Sequence, residues 1–474
     1  MGASEVTKLC REPAIEIRRR LWAREVSIVE MTEAHLQVIE RMNPRINAVV
    51  TLVAERALAD AREADTMLSR RLPHGALHGL VVAHKDLTET AGIRTTFGSP
   101  LFANFVPDRD SLIVERLKGA GAITIGKTNT PEWGAGSNTT NPVFGPTRNP
   151  YNAKLTSGGS SGGAAAALAS GMVALADGSD MGGSLRNPAA YCNVVGLRPA
   201  LGRVPDWPNV LPWQTLAVNG PMGRTVQDVA LMLSVLAGPD DRCPNSLAEP
   251  GDRFDTPLLR DFAGVKVAWS RTLGGLPVQP EITDALGQQR EVLLDLGCKV
   301  ADIEPDFAGA DIAFLSWRAW SFEAHLGPLQ EAHPDQVGPN VTWNIMQGRS
   351  LSGPDLARAE IARAELYHRM RVFMNEYEFL VAPVTQVVPF PPEIDYPRRI
   401  GDVAMTTYLD WMKSCWMISA TGHPAISVPG GFTGAGLPVG LQIIGRHRDE
   451  LGVLQIAHAV EQATEHWRRS PPID

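Results

Sequence analysis

The residues Ser157-Gly158-Gly159-Ser160-Ser161-Gly162-Gly163, followed at once by the alanine-rich stretch Ala164 to Ser170, form the local feature of this sequence best suited to chemistry. Glycines let a backbone approach a ligand closely, and a helix start offers unpaired N–H groups to an anion or to a polarised serine oxygen. Three readings compete. Gly158-Gly159-Ser160-Ser161-Gly162 matches a GxSxG elbow, which would make Ser160 the nucleophile of a serine esterase. That elbow requires a strand-to-helix turn, and Asn149 to Lys154 does not read as a convincing strand. A phosphate loop needs a lysine after its glycines, and none follows. The third reading is a tight turn with glycines for packing alone.

A second Gly-Ser segment, Asp180-Met181-Gly182-Gly183-Ser184-Leu185-Arg186, changes the balance. A helix of about 8 residues rises about 12 Å, and a following strand of about 5 residues covers about 17 Å, so the chain can return toward its start and bring Ser184 to Ser160. Successive N–H groups of Met181, Gly182, Gly183 and Ser184 form the kind of concave nest that stabilises an oxyanion on an attacked carbonyl. A serine hydroxyl needs a base, and the order of the 11 histidines nominates no Ser-His-Asp triad. Lys85 is the alternative. It follows an apolar run, and desolvation can lower a lysine from about 10.4 toward the 7 to 8 range useful for a general base. Alone, Lys85-Asp86 would read as a surface ion pair; beside two Gly-Ser turns it reads as chemistry.

The elements that must position these residues alternate. A capping box at Ser27 and Glu30 starts a helix that Asn43-Pro44 is expected to close, and Ala54 to Leu68 gives a second. Leu80 to Ala83 reads as a buried strand running into His84-Lys85-Asp86. Asp110-Ser111 is expected to cap a helix, with a strand following at Ala122 to Gly126. Trp133 to Gly163 reads as a long ordered loop, Met172 to Ala176 as a strand, and Gly178 to Ser184 as a turn. Further strands are expected at Val265 to Trp269, Phe379 to Ala382, Ala425 to Val428 and Gly440 to Ile444, with helices at Ile282 to Leu296, Ile361 to Glu376 and Leu451 to Gln462. The pattern is that of an α/β protein without repeats.

In these motifs the sequence resembles the amidase signature family. The resemblance rests on His84-Lys85-Asp86, the two Gly-Ser segments, Gly126-Lys127-Thr128-Asn129-Thr130-Pro131-Glu132 and Asn141 to Pro150, and resumes at Gly422 to Pro429 and Gly436 to Gln442. It implies one domain over residues 1–474, with a helical part over 1–70 and a variable substrate-cleft insertion at about 250–375, the weakest part of the match. The fold it implies is a large, twisted, mixed β-sheet flanked by helices on both faces. By the same resemblance Ser184 is the acyl-forming nucleophile, Ser160 the cis-serine that shuttles its proton, Lys85 the ultimate base and Met181 to Ser184 the oxyanion hole. Asp180, Arg186 and Ser161 would support that turn. The implied reaction is hydrolysis of the C–N bond of small apolar or aryl amides, extending to esters and carbamates (urethanes), with no metal and no cofactor. The family also contains the glutaminase subunit of tRNA-dependent amidotransferases, which is the alternative. Homodimers are common in it.

Departures from the family pattern bear on the substrate. Met181 stands where Ile, Thr or a small residue is frequent, Arg198-Pro199-Ala200 replaces Lys-Pro-Thr, and His423 occupies a position that is commonly apolar. Eleven tryptophans suggest an aromatic cleft, with Trp133, Trp207 and Trp213 joining Met181 and Gly159 as candidate substrate contacts, while Trp317, Trp320, Trp411 and Trp416 are also available for the core.

Composition is that of a loop-rich globular protein. The 474 residues are 44% hydrophobic and carry a net charge of −8, and apart from Arg18-Arg19-Arg20, expected to be a solvated helix face, nothing recommends a nucleic-acid partner. Cys10, Cys192, Cys243, Cys298 and Cys415 are odd in number and widely spaced, which fits neither a disulfide framework nor a zinc site. The N-terminal stretch lacks a signal-peptide core, and no run approaches the roughly 18 apolar residues of a membrane span. A cytoplasmic protein without a membrane partner is expected.

Overall fold

A computed structural model describes residues 3–472. Among them, eleven strands build one mixed sheet in the spatial order Val49–Leu52, Ile123–Thr128, Val81–Lys85, Leu175–Asp180, Val218–Gly223, Val195–Arg198, Ala425–Phe432, Pro438–Gly445, Phe379–Pro383, Lys266–Trp269, Lys299–Asp302. Val81–Lys85 runs parallel to both of its neighbours, and Leu175–Asp180 turns antiparallel to Val218–Gly223.

Alternation along these strands explains the layering. Phe379 and Val381 join one apolar cluster with Ile282, Leu286 and Val453, whereas Leu380 and Ala382 join another with Leu366, Met370 and Trp416. Successive strand residues face opposite sides, so a nearly continuous apolar run marks a strand buried on both faces, and helices cover each. All five cysteines are free and buried. Arg18 to Arg20 lie on the helix Ala14–Trp22, where Arg19 pairs with Glu16 and Glu25 and Arg20 with Glu12. No helix among the described residues is long and apolar enough to cross a membrane.

Several elements differ from expectation. The capping box at Ser27 forms, but its helix runs Ile28–Ile46, through Pro44. Proline there forgoes one N–H bond in the last turn only, and Asn43 supports the exit by accepting the N–H groups of Ala48 and Val49 at 2.8 and 2.9 Å. Ser111 stands at the N-cap of Leu112–Gly119 without making a cap bond. Asp110 instead accepts from Ala91 N–H at 2.7 Å and pairs with Lys118. The loop before Ser157 contains a two-stranded hairpin, Arg148–Asn149 with Asn152–Thr156. A strand therefore does precede the Gly-Ser turn, though outside the main sheet.

The expected strand Met172 to Ala176 lies instead at Leu175–Asp180, so Gly178-Ser179-Asp180 is strand rather than turn. Close approach requires its small residues: a Cβ at Gly178 would meet Ser161 Oγ at 2.6 Å. Within residues 250–375, two strands extend the sheet edge, while the helices Ala310–Ala332, Pro339–Arg349 and Gly353–Glu376 pack on one another, and the first of them stacks Phe314 on Trp416 and sets Arg318 beside Met181. The last begins eight residues before the expected Ile361, at a capping box of Ser352 and Asp355.

Candidate active site

Lys85 ends its strand fully buried, one strand away from Leu175–Asp180. Its backbone N–H donates to Asp177 Oδ1 at 3.0 Å, and Asp177 Oδ2 lies 2.5 Å from His84 Nδ1, which fixes the strand end. Among the described residues the Lys85 ammonium hydrogen-bonds to three hydroxyls: Nζ donates to Ser160 Oγ at 2.7 Å, Ser161 Oγ at 2.9 Å and Ser179 Oγ at 3.0 Å. Burial pulls its pKa from 10.5 down to about 7, against the opposing charges of Asp180 and Asp177. An amine so placed can receive a proton near neutrality and return it. Asp86, the sequence neighbour that suggested an ion pair, turns the other way and accepts from Thr96 N–H and Oγ1.

The Gly159–Ser160 peptide bond is cis. Ser137 Oγ donates to Gly159 O at 2.6 Å and itself receives Asn187 Nδ2 at 2.8 Å. Helix Gly162–Ser170 starts immediately after, and glycine is needed there because a Cβ at Gly162 would lie 2.3 Å from Thr139 Oγ1. The two Gly-Ser segments meet where Ser161 N–H donates to Ser184 O at 3.1 Å. Ser184 is 7% exposed, whereas Ser161 is wholly buried.

Asp180 organises the turn that carries Ser184. Its carboxylate accepts Gly183 N–H at 2.8 Å and Leu185 N–H at 3.2 Å, and holds Arg186 through bonds of 2.9 and 3.0 Å. Arg198, the residue that departs from the family pattern, is a second guanidinium on Asp180, bonding its carbonyl and lying 3.3 Å from Oδ1. Arg186 also donates to Gln442 Oε1 at 2.6 Å and Ser419 Oγ at 2.8 Å. Burial alone would raise the Asp180 carboxyl; the two guanidiniums outweigh it and hold the group well below the usual carboxylate range. Asp180→Asn would strand two buried cations. We expect a loss of about 3–5 kcal/mol of stability, read as a lower urea midpoint with unchanged slope; an unchanged midpoint would show that the carboxylate charge does not hold this turn.

A cavity of about 440 Å³ reaches this network at Ser179 and Met181. Phe97, Phe102, Phe105, Trp133, Phe322 and His325 line it, with the Phe97 and Trp133 rings stacked at 4.5 Å. Of the five expected contacts, Met181 and Trp133 are on its wall. Trp207 is not, and lies under the Arg242 guanidinium at 4.6 Å. Gly159 is buried beneath Ser160 against Ser137, and Trp213 is 72% exposed on an adjoining surface. Ser160, Ser184 and Lys85 are not on the wall of this aromatic cavity, and a larger groove of about 650 Å³, near His466 and Arg469, touches neither them nor Ser179 and Met181. His423 is buried, bonds within its own loop to Thr421, and is lowered by burial to about 4.

Sequence reasoning missed Asp177, Ser179, Arg198 and Arg318. Arg318 Nη1 lies 3.1 Å from Met181 Sδ, and its other bonds run to Asn344 Oδ1 and Tyr408 OH. Strand alternation was the available signal for Ser179, had Gly178 to Asp180 been read as strand.

A sequence model of the family described as Amidase matches residues 30–454. The chain is 35% identical over 465 residues to an acylamidase of Rhodococcus erythropolis, covering 97% of each. It is 34% identical over 483 residues to a glutamyl-tRNA(Gln) amidotransferase subunit of Thermosynechococcus vestitus, covering 96% of this chain and 98% of that one. The solved structure of a bacterial aryl acylamidase of the amidase signature enzymes superposes with a TM-score of 0.89 at 29% identity, over 96% of this chain and 97% of the other.

Proposed function

The chain belongs to the amidase signature family and is an amide hydrolase, and on that premise we propose that it cleaves aryl or other apolar amides through an acyl-enzyme on Ser184. The observation that carries this reading is the 2.7 Å bond from buried Lys85 to Ser160, beside Ser179, which Lys85 also bonds and which stands on the wall of an aromatic cavity. Neutral Lys85 draws the Ser160 proton as Ser160 takes that of Ser184, and Ser184 Oγ attacks the carbonyl carbon. The resulting oxyanion is received by the Met181 to Ser184 turn. Because Gly183 N–H is engaged by Asp180, the neighbouring N–H groups are the ready donors. The proton then returns along the same path to the leaving nitrogen as the C–N bond breaks. Water hydrolyses the ester by the same relay, releasing the acid. Ser161 and the Asp180–Arg186 pair hold the geometry.

Aryl esters and carbamates fit the same site, since attack on each gives a similar oxyanion. We also propose a single catalytic domain, a cytoplasmic location and a homodimer. The relatives named as amidotransferase subunits keep a glutaminase reading open, but six aromatic side chains around the cavity favour an aryl group over the polar glutamine side chain. The test is the purified chain with a panel of 4-nitroanilides, aryl esters, aryl carbamates and glutamine. Release of nitroaniline with an equivalent of acid is expected. Ammonia from glutamine alone, appearing only with added partner subunits, would reverse the assignment.

A further inference from the structure

Trp213, Trp317 and Trp320 take no part in the reaction above, yet they gather around one space. They line a second cavity of about 540 Å³ that shares Gln214 and Ser321 with the aromatic cavity beside Ser179. Two side chains therefore lie on the boundary of both spaces. Trp317 and Trp320 meet edge to face at 5.3 Å on the helix Ala310–Ala332, which also sends Phe322 and His325 into the inner cavity.

The loop that carries Trp213 is held by its surroundings. Asp206 accepts the side-chain amides of Asn209 at 2.7 Å and Asn219 at 2.9 Å, and Asn245 Nδ2 donates to Pro212 O at 2.8 Å. Gln214 braces its own loop, donating to Ala217 O at 3.0 Å and accepting the N–H groups of Leu216 and Ala217 at 2.9 and 3.0 Å. Arg363 donates to Thr215 O at 2.9 Å. A bonded loop thus presents an indole to solvent, and a large apolar group exposed beside a cavity marks a binding surface more than an isolated exposed residue does.

We propose that this tryptophan shelf is a second substrate subsite, binding an apolar arm, aryl or an alkyl chain of six or more carbons, of the amide whose other part occupies the inner cavity. The proposal rests on the amide-hydrolase reading and adds a substrate class to it: amides with two apolar arms. The shared boundary at Gln214 and Ser321 carries it, because the two spaces meet at these residues and an amide with two arms can place one on each side of them. Covering Trp213 removes apolar area from water, and the gain grows with arm length until the shelf is filled.

The test uses the full chain and two anilide series, one lengthened on the acyl side from acetyl to decanoyl, the other lengthened by a para-alkyl chain on the ring. In at least one series kcat/KM is expected to rise about tenfold or more with length in the wild type, mainly through KM. Trp213→Ala and Trp320→Ala should each remove most of that long-to-short ratio. Trp213 is exposed, so its variant isolates the subsite even if Trp320→Ala fails to fold. Cleavage of anilides with no gain from length, or a gain that survives Trp213→Ala, overturns the subsite. Cleavage of no amide at all by the wild type overturns the underlying reading instead.

Discussion

Lys85→Ala is expected to lower amide turnover by about 10²- to 10⁴-fold and to remove the acid limb of the pH profile. In the wild type the limb reports protonation of a base near pH 7, since burial brings the lysine down to about 7 and only its neutral form draws a proton from Ser160. kcat/KM therefore rises as pH climbs through 7 and levels above it. Steady-state rates from pH 5 to 9 check this; a Lys85→Ala enzyme retaining full activity at pH 7 removes the lysine from the mechanism. The same shift has a stability consequence. Between about 7 and the ordinary 10.5 the unfolded chain carries a proton on this lysine that the folded chain does not. Wild-type stability relative to Lys85→Met therefore rises with pH across that window and falls as pH drops toward 7. Urea melts at pH 7 and 9.5 read the difference, and equal differences at the two values would contradict a buried neutral amine.

The two serines should fail differently. Ser184→Ala removes the nucleophile, and kcat for amides and esters alike is expected to fall by about 10⁴-fold or more. Ser160→Ala leaves the nucleophile but breaks the relay to Lys85. It should reduce amide cleavage by about 10²- to 10⁴-fold and affect aryl esters less, because a phenolate departs without a proton and an amine does not. Lys85→Ala combined with Ser160→Ala should then lose little beyond the worse single variant, as expected of residues acting as a unit. Burst kinetics with a nitrophenyl ester and nitroanilide rates on the four variants test this together. Equal loss of amide and ester turnover in Ser160→Ala would point to the Ser160-nucleophile reading.

How much of this was legible beforehand follows from what each segment's chemistry displays locally. Phe379 to Ala382 and Gly440 to Ile444 announced themselves because a strand buried on both faces is largely apolar, Gln442 being the polar exception that serves Arg186. Leu175–Asp180 did not, because Gly178 is small for the sake of Ser161 and, with Ser179 beside it, imitates a turn. The helix Ala310–Ala332 was invisible to a stripe argument: it turns Ile312 and Leu315 outward while burying Phe314 and Phe322. In the site, Ser160 and Ser184 sit in contiguous glycine motifs and could be singled out, and Lys85 followed from the need for a base. Its true surroundings were hidden, since Asp177 and Ser179 come from a strand about 90 residues away, while adjacent Asp86 faces elsewhere. Arg198 stands in the sequence only as a departure from the family pattern, and its place on Asp180, away from the substrate, follows from strand pairing that the sequence does not display.

The central claim is that Ser184 is the activated hydroxyl, with Lys85 and Ser160 behind it. Labelling the native protein with a fluorophosphonate and mapping the adduct by peptide mass spectrometry asks this without knowledge of the natural substrate. The account predicts an adduct on Ser184 that is lost in Ser184→Ala and strongly slowed in Lys85→Ala. An adduct on Ser160 with Ser184 unmodified would contradict it.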